Sequence, residues 1–158
     1  MKRFLLGVFF MLTLSFAFAQ KNTEVNWLSS QELQQSYYQE PKPILIFLET
    51  SWCKICKMQN NTTFANDSVI RYLNETVYAF KIDAENKDSI SFFNRTYHFN
   101  AAEKYHELAL YFGKYENQIL FPTTVILDEK QQVWFRKSAL ITSVELIEIL
   151  QLEEEENR

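Results

Sequence analysis

Residues 44–57 read ILIFLETSWCKICK. Five apolar residues run without a break from Ile44 to Leu48, and Glu49 closes a segment of strand length. A strand with one wet face carries a polar residue at every second position. This one carries none before Glu49, so the pattern predicts a strand covered on both faces. Such a strand needs a layer packed on each side of its sheet, which points to an α/β layered domain. Cys53 and Cys56, the two cysteines of the chain, follow directly, where the chain turns from this strand into a helical pattern.

The rest of the chain fits that architecture. Ser29 with Glu32 three positions on is a capping box, and Leu33 and Tyr37 predict a helix over 30–39 that Pro41 and Pro43 stop. Helical polarity runs from Cys53 to about Phe64, Asn66 or Asp67 caps a second helix over 66–74, and VYAFKID (77–83) predicts a strand. ISFFNRTYHF (90–99) alternates about Asn94 and Arg95, compatible with a hairpin, with a helix as the competing reading. Asn100 with Glu103 predicts a helix carrying Tyr105, Leu108, Ala109 and Phe112 inward, with Gly113 as its C′ residue. PTTVILD (122–128) and QVWFRK (132–137) predict a strand hairpin. Thr142 with Glu145 caps a last helix with Val144, Ile147 and Leu150 as its inward stripe, and EEEE (153–156) reads as its solvated end.

The meaning of a cysteine pair depends on compartment. Lys2 and Arg3, an apolar run from Phe4 to Phe16 and the sequence Ala17-Phe18-Ala19 form the pattern of a secretory signal peptide over residues 1–19, cleaved before Gln20. The apolar run falls short of the roughly 20 residues that span a bilayer, so no stable membrane insertion is expected after cleavage. Residues 20–158 are of a size for one domain with its own core. They are expected in the periplasm or otherwise outside the cytoplasm. Loss of Lys2 and Arg3 from the 16 basic residues leaves 14 against 20 acidic ones. That balance disfavours a nucleic-acid partner.

Three chemistries are open to the pair. A tetrahedral zinc site would need His98 and His106 as further ligands, and their spacing matches no common pattern, so no metal is expected. A purely structural disulfide closing so small a loop removes little unfolded-state entropy. Redox chemistry fits the position best. At the turn into a helix, the Cys53 sulfur can face unpaired backbone N–H groups and the positive helix end, which favour thiolate. Cys53 is then the nucleophile and Cys56, one turn on, the residue that resolves a mixed disulfide. Lys54 and Lys57 add positive charge nearby.

SWCKICK, with the buried strand ahead of it and FPTTVILD downstream, resembles the thioredoxin family, over essentially all of residues 25–152. WCKICK, TF at 63–64 and DSV at 67–69 are most similar to secreted or periplasmic thioredoxin-like domains, including the C-terminal domain of transmembrane electron-relay reductases. HELALYF before Phe-Pro-Thr resembles periplasmic thioredoxin-like proteins of the Bacteroidetes type. The resemblance implies a thioredoxin-like fold, a central mixed sheet flanked by helices, here with an insert near residues 85–100. It implies thiol–disulfide exchange without a bound cofactor, on protein thiols or disulfides, with a membrane electron-relay donor. It also implies that Trp52 shields the cysteines and that Pro122, in cis, presents the Phe121 backbone to substrate.

Two departures from the family pattern stand out. Lys54-Ile55 separates the cysteines in place of Gly-Pro, and Phe47 occupies the strand position where many relatives keep a buried acid. Glu49, two residues on, is a substitute proton relay or a rim salt bridge. The insert either covers the cysteines or decorates the periphery. The function expected is an extracytoplasmic thiol–disulfide oxidoreductase, reductase or isomerase. The alternative is a thioredoxin-fold binding or chaperone module with a static disulfide.

Overall fold

The computed structural model describes residues 23–156. The signal peptide expected over 1–19 lies outside them. In chain order the elements are β1 (Trp27–Leu28), α1 (Ser30–Gln39), β2 (Ile44–Glu49), α2 (Lys54–Thr62), α3 (Asp67–Thr76), β3 (Tyr78–Asp83), β4 (Ile90–Phe92), β5 (Arg95–Tyr97), β6 (Phe99–Asn100), β7 (Tyr105–His106), α4 (Glu107–Gly113), β8 (Lys114–Tyr115), β9 (Gln118–Ile119), β10 (Thr123–Leu127), β11 (Val133–Lys137) and α5 (Ser143–Glu156).

β2 lies at the centre of a mixed sheet ordered β1-β3-β2-β10-β11. It runs parallel to β3, with Phe47 opposite Lys81, and antiparallel to β10, with Phe47 opposite Thr124. Its apolar run is buried from Ile44 to Leu48, and the strand alternation of side chains divides it between two cores. Leu45 and Phe47 pack with Cys53, Cys56, Val69, Leu73 and Leu146, the layer of α2, α3 and α5. Ile44, Ile46 and Leu48 pack with Leu33, Leu108 and Phe112, the layer of α1 and α4. The layered α/β reading holds, because a strand without polar alternation needs both covers.

Local chemistry explains most element ends. The Ser29 capping box forms, with Glu32 reaching back to the Ser29 amide at 2.8 Å, an arrangement worth about 1 kcal/mol. Asn66 caps α3 through the amides of Ser68 and Val69. Thr142 accepts from the Glu145 amide at 3.3 Å ahead of α5.

The differences from the sequence reading lie mainly between residues 90 and 120. The β4–β5 hairpin exists, but its turn is Phe93-Asn94, and Arg95 pairs with Phe92 as a strand residue. Phe93 has φ 50°, an uncommon state for a bulky residue, held by ring contacts to Tyr37 and Phe92 at 5.0 and 4.8 Å. Asn100 does cap, accepting from the amides of Ala102 and Glu103, but it caps only a turn. Lys104 at φ 62° breaks the helical path. The expected helix is replaced there by the β6–β7 pair and starts only at Glu107, with His106 as its cap. Gly113 ends α4 instead of following it, and no glycine among the described residues has positive φ. Its role is close approach, since a Cβ there would stand 2.6 Å from Leu48 Cδ1. The β8–β9 hairpin, turning through Glu116 and Asn117 at φ 45° and 62°, was not foreseen.

The stripe of α5 also differs. Val144 is 66 % exposed, and Leu146, Leu150 and Glu153 face inward. The acidic end is docked: Glu156 accepts from the Trp134 indole at 2.7 Å and Glu154 from the Tyr72 hydroxyl at 2.9 Å. Burial, reinforced by Glu154, pushes the Tyr72 pKa up to about 12.

Candidate active site

Where β2 ends, the chain makes one tight turn before α2. The Cys53 amide donates to the Thr50 carbonyl at 3.2 Å, and Cys53 leaves the turn in extended geometry as the N-cap of α2. Its sulfur accepts from the Cys56 amide at 3.0 Å, taking the place an N-cap oxygen would hold. The two sulfurs form a disulfide, S–S 2.02 Å and Cα–Cα 5.2 Å. Cys53 keeps 5 % of its surface exposed and Cys56 none. The first turn of α2 carries no acid, and Lys54 and Lys57 are exposed.

Trp52 stands over this turn, 58 % exposed. Its indole N–H donates to Glu85 Oε1 at 3.1 Å, and its ring meets Phe121 edge-on at 6.1 Å. Phe121 in turn rests on Tyr105 at 5.4 Å. The Phe121–Pro122 bond is cis. Thr123 is the first residue of β10, so the Phe121 backbone lies outside the ladder of the sheet. The Thr123 hydroxyl donates to the Leu120 carbonyl at 2.7 Å and bonds the Ser138 hydroxyl at 2.8 Å, fixing the loop from both sides.

Below the cysteines, Phe47 is fully buried, with the Phe64 and Trp27 rings 4.9 and 6.2 Å away. Gln59 is buried with both ends of its amide bonded: Nε2 donates to Thr124 Oγ1 at 3.1 Å and Oε1 accepts from the Ile141 amide at 3.2 Å. It ties α2 to β10 and to the approach to α5. Glu49 sits at the rim in a closed triangle. It pairs with Lys81 at 3.7 Å and accepts from Asn60 at 2.7 Å, while Lys81 donates to Asn60 at 2.9 Å. The Lys81 ammonium also lies 4.5 Å above the Trp27 ring.

The insert serves both readings in part. Its β4–β5 hairpin packs through Phe92 and Tyr97 into the α1 and α4 layer, on the face of the sheet away from the cysteines. Its first residue, Glu85, reaches Trp52. The histidines are both engaged in the insert. The His98 ring bonds Ser89 at 2.8 Å. His106 is buried, its Nδ1 accepting from the Leu108 amide at 3.2 Å and its Nε2 donating to the Asp88 carbonyl at 3.1 Å. Among the described residues no group of three His, Cys, Asp or Glu gathers to hold a metal. Glu85, Gln59 and Asn60 were missed in the sequence because each acts through a partner distant in the chain, and no local pattern marks them.

Burial of His106 lowers its pKa from the usual 6.5, against the opposing pull of the Asp88 carbonyl and Glu107. The neutral ring is the one the fold uses, since protonated Nδ1 could not accept from Leu108. The unfolded chain takes up its proton first as the pH drops, so the contribution of His106 is intact above about pH 6.5 and is lost below it. The midpoint of urea unfolding should therefore fall between pH 7 and pH 5, and fall less in His106→Asn. Equal slopes in the two proteins would contradict this account.

The fold and the CxxC pair at a strand-to-helix turn define a thioredoxin-like thiol–disulfide oxidoreductase. The family model described as Thioredox_DsbH, protein of unknown function (DUF255), matches residues 13–147, and the chain belongs to that family. Among solved structures it is similar to one titled DsbH oxidoreductase, with TM-score 0.60 and 16 % identity over 89 % of this chain and 91 % of that one. A thioredoxin from Thermus thermophilus gives TM-score 0.60 and 14 % identity over 82 % and 86 %. The C-terminal domain of DsbD from Neisseria meningitidis, in its oxidised form, gives 0.52 and 14 % over 80 % and 97 %. At these identities the structures speak for the fold alone. No curated protein matches the sequence.

Proposed function

We propose that the chain reduces or isomerises disulfides of protein substrates outside the cytoplasm, with Cys53 as nucleophile and Cys56 as resolving residue. The observation that carries the roles is the Cys56 amide donating to the Cys53 sulfur at the start of α2. A hydrogen bond from a fixed donor favours the thiolate, and the donor belongs to the helix that the other cysteine rides on. In the reduced enzyme the Cys53 thiolate attacks one sulfur of a substrate disulfide, forming a mixed disulfide and expelling the other sulfur as thiolate. Cys56, as thiolate, then attacks Cys53, releases the second substrate sulfur, and leaves the Cys53–Cys56 disulfide. Two electrons from a dithiol donor restore the enzyme, and the expected donor is a membrane electron relay.

Trp52 shields the pair, and the backbone of Phe121 beside Pro122 pairs with the extended substrate. Phe47 offers no proton acceptor, so we assign the proton leaving Cys56 to the Glu49–Lys81 pair through solvent at the rim. The signal-peptide pattern of residues 1–19 supports the extracytoplasmic setting. Among the described residues no helix is long and apolar enough to cross a membrane.

A second reading, a binding or chaperone module with a static disulfide, draws its support from Phe47. Reduction of insulin by dithiothreitol separates the two. The protein should accelerate it, and Cys53→Ser should not. Rates at background for both proteins would leave the static module.

A further inference from the structure

A groove of about 620 Å³ lies between the β8–β9 hairpin and the edge strand β11, on the α1 and α4 side of the sheet. Register gives its direction. Ser138 bonds Thr123, directly after Pro122, so that end adjoins the Phe121–Pro122 loop. Arg136 is opposite Val125 and Val133 opposite Leu127, so these two lie progressively further along it. Val125 and Leu127 belong to the α1 and α4 layer, and residues opposite one another share a face, which turns Arg136 and Val133 toward the hairpin. From the other wall Leu120 lines the groove and directly precedes Phe121, whose ring meets Trp52. The groove therefore runs along the α1 and α4 side of the sheet and meets the Phe121–Pro122 loop at its Leu120 and Ser138 end.

Two features call for an occupant. Tyr115, Leu120 and Val133 are large apolar side chains left exposed together along one depression, whereas exposed apolar residues scattered singly carry no such meaning. Arg136, among them, makes no ion pair with any described residue, Glu116 on the hairpin wall included.

We propose that the groove receives the substrate polypeptide flanking its reactive cysteine, holding an apolar side chain against Tyr115, Leu120 and Val133 and a carboxylate side chain at Arg136. This rests on the thiol-exchange reading above. Arg136 lies two strand positions from Ser138, about 7 Å at the rise of a strand, so an extended substrate places the carboxylate within about five residues of its cysteine. Glu116 repels that carboxylate from the hairpin wall and directs it to the strand. The preference opposes the net negative charge of the chain, which by itself would draw basic peptides.

The test uses the reduced Cys56→Ser protein and peptides of equal length, each with one cysteine carried as a mixed disulfide with thionitrobenzoate. The Cys53 thiolate attacks the peptide sulfur, the new Cys53–peptide disulfide forms, and the thionitrobenzoate thiolate leaves with the electron pair and is read by colour. One peptide carries Leu and Asp at the flanking positions, one Leu and Lys, one Ser and Gly. The Leu/Asp peptide should react about 1.5- to fivefold faster than the Leu/Lys peptide, the range of an exposed ion pair. Adding Arg136→Glu should invert that order, and adding Leu120→Ser should erase the advantage of Leu peptides over the Ser/Gly one. Each result is a ratio within one protein, so partial misfolding of a variant does not mimic it. Equal rates for all peptides, or a ratio unmoved by Arg136→Glu, would overturn the groove. A small aromatic disulfide distinguishes the failures: reaction with it but no discrimination among peptides removes the groove alone, and no reaction with it removes the exchange reading and the groove together.

Discussion

Cys56→Ser should turn this protein into a covalent trap. With the resolving sulfur gone, the mixed disulfide at Cys53 can be released only by an external thiol. The neighbouring sulfur, 5.2 Å away between Cα atoms, acts at an effective concentration far above any millimolar thiol, so turnover should fall on the order of a thousandfold or more. Incubated with an extracytoplasmic extract and run on non-reducing gels, Cys56→Ser should show adducts that dithiothreitol removes, and Cys53→Ser almost none. The asymmetry follows from position: Cys53 caps the helix and keeps some exposure, whereas Cys56 is sealed beneath it. A static staple predicts no asymmetry, because either substitution deletes the same bond. Folded Cys56→Ser that captures nothing beyond the double mutant would end the oxidoreductase reading of the roles.

The parts of the site that were legible in the sequence are those fixed by local pattern. The continuous apolar run of β2 demanded two covering layers, and Cys53 at its exit demanded an N-cap position. The capping boxes at Ser29 and Thr142 marked helix starts within a residue. Between Phe92 and Leu120 local signals misled, because tertiary packing decided the backbone there. Phe93 accepts positive φ for its ring contacts, and Asn100 spends its capping bonds on a turn that Lys104 prevents from becoming a helix. The sequence pattern turns Val144 inward because the periodicity of α5 is weak, with apolar residues on several sides and the acid Glu153 among the buried ones. Glu85 and Gln59 were illegible for a different reason. Each holds the site through hydrogen bonds to residues dozens of positions away, and a single sequence carries no trace of such pairs.

Phe47 is where stability and chemistry compete for one position, and its truncation should have the largest effect on folding. The side chain is fully buried at the centre of the sheet, with Phe64 edge-on to it, Trp27 tilted beside it and Lys81 5.8 Å from its ring. Phe47→Ala should cost about 3–5 kcal/mol, because the sheet and the packed layer of α2, α3 and α5 close only partly on the cavity. Phe47→Leu, closer in volume, should cost less than about 2 kcal/mol. Urea unfolding of the oxidised proteins measures both, as a lowered midpoint at unchanged slope. Phe47→Asp would also lose the ring contacts and would bury a carboxylate whose nearest cation, Lys81, is already held by Glu49 and Asn60. The chain has thus filled with an aromatic ring a place that a buried acid would have to enter at a loss of packing, and has kept its carboxylate two residues along the same strand face, at the solvent rim. A loss below about 1 kcal/mol for Phe47→Ala would mean the ring is not what holds this layer together, and the account of position 47 as structural would fail.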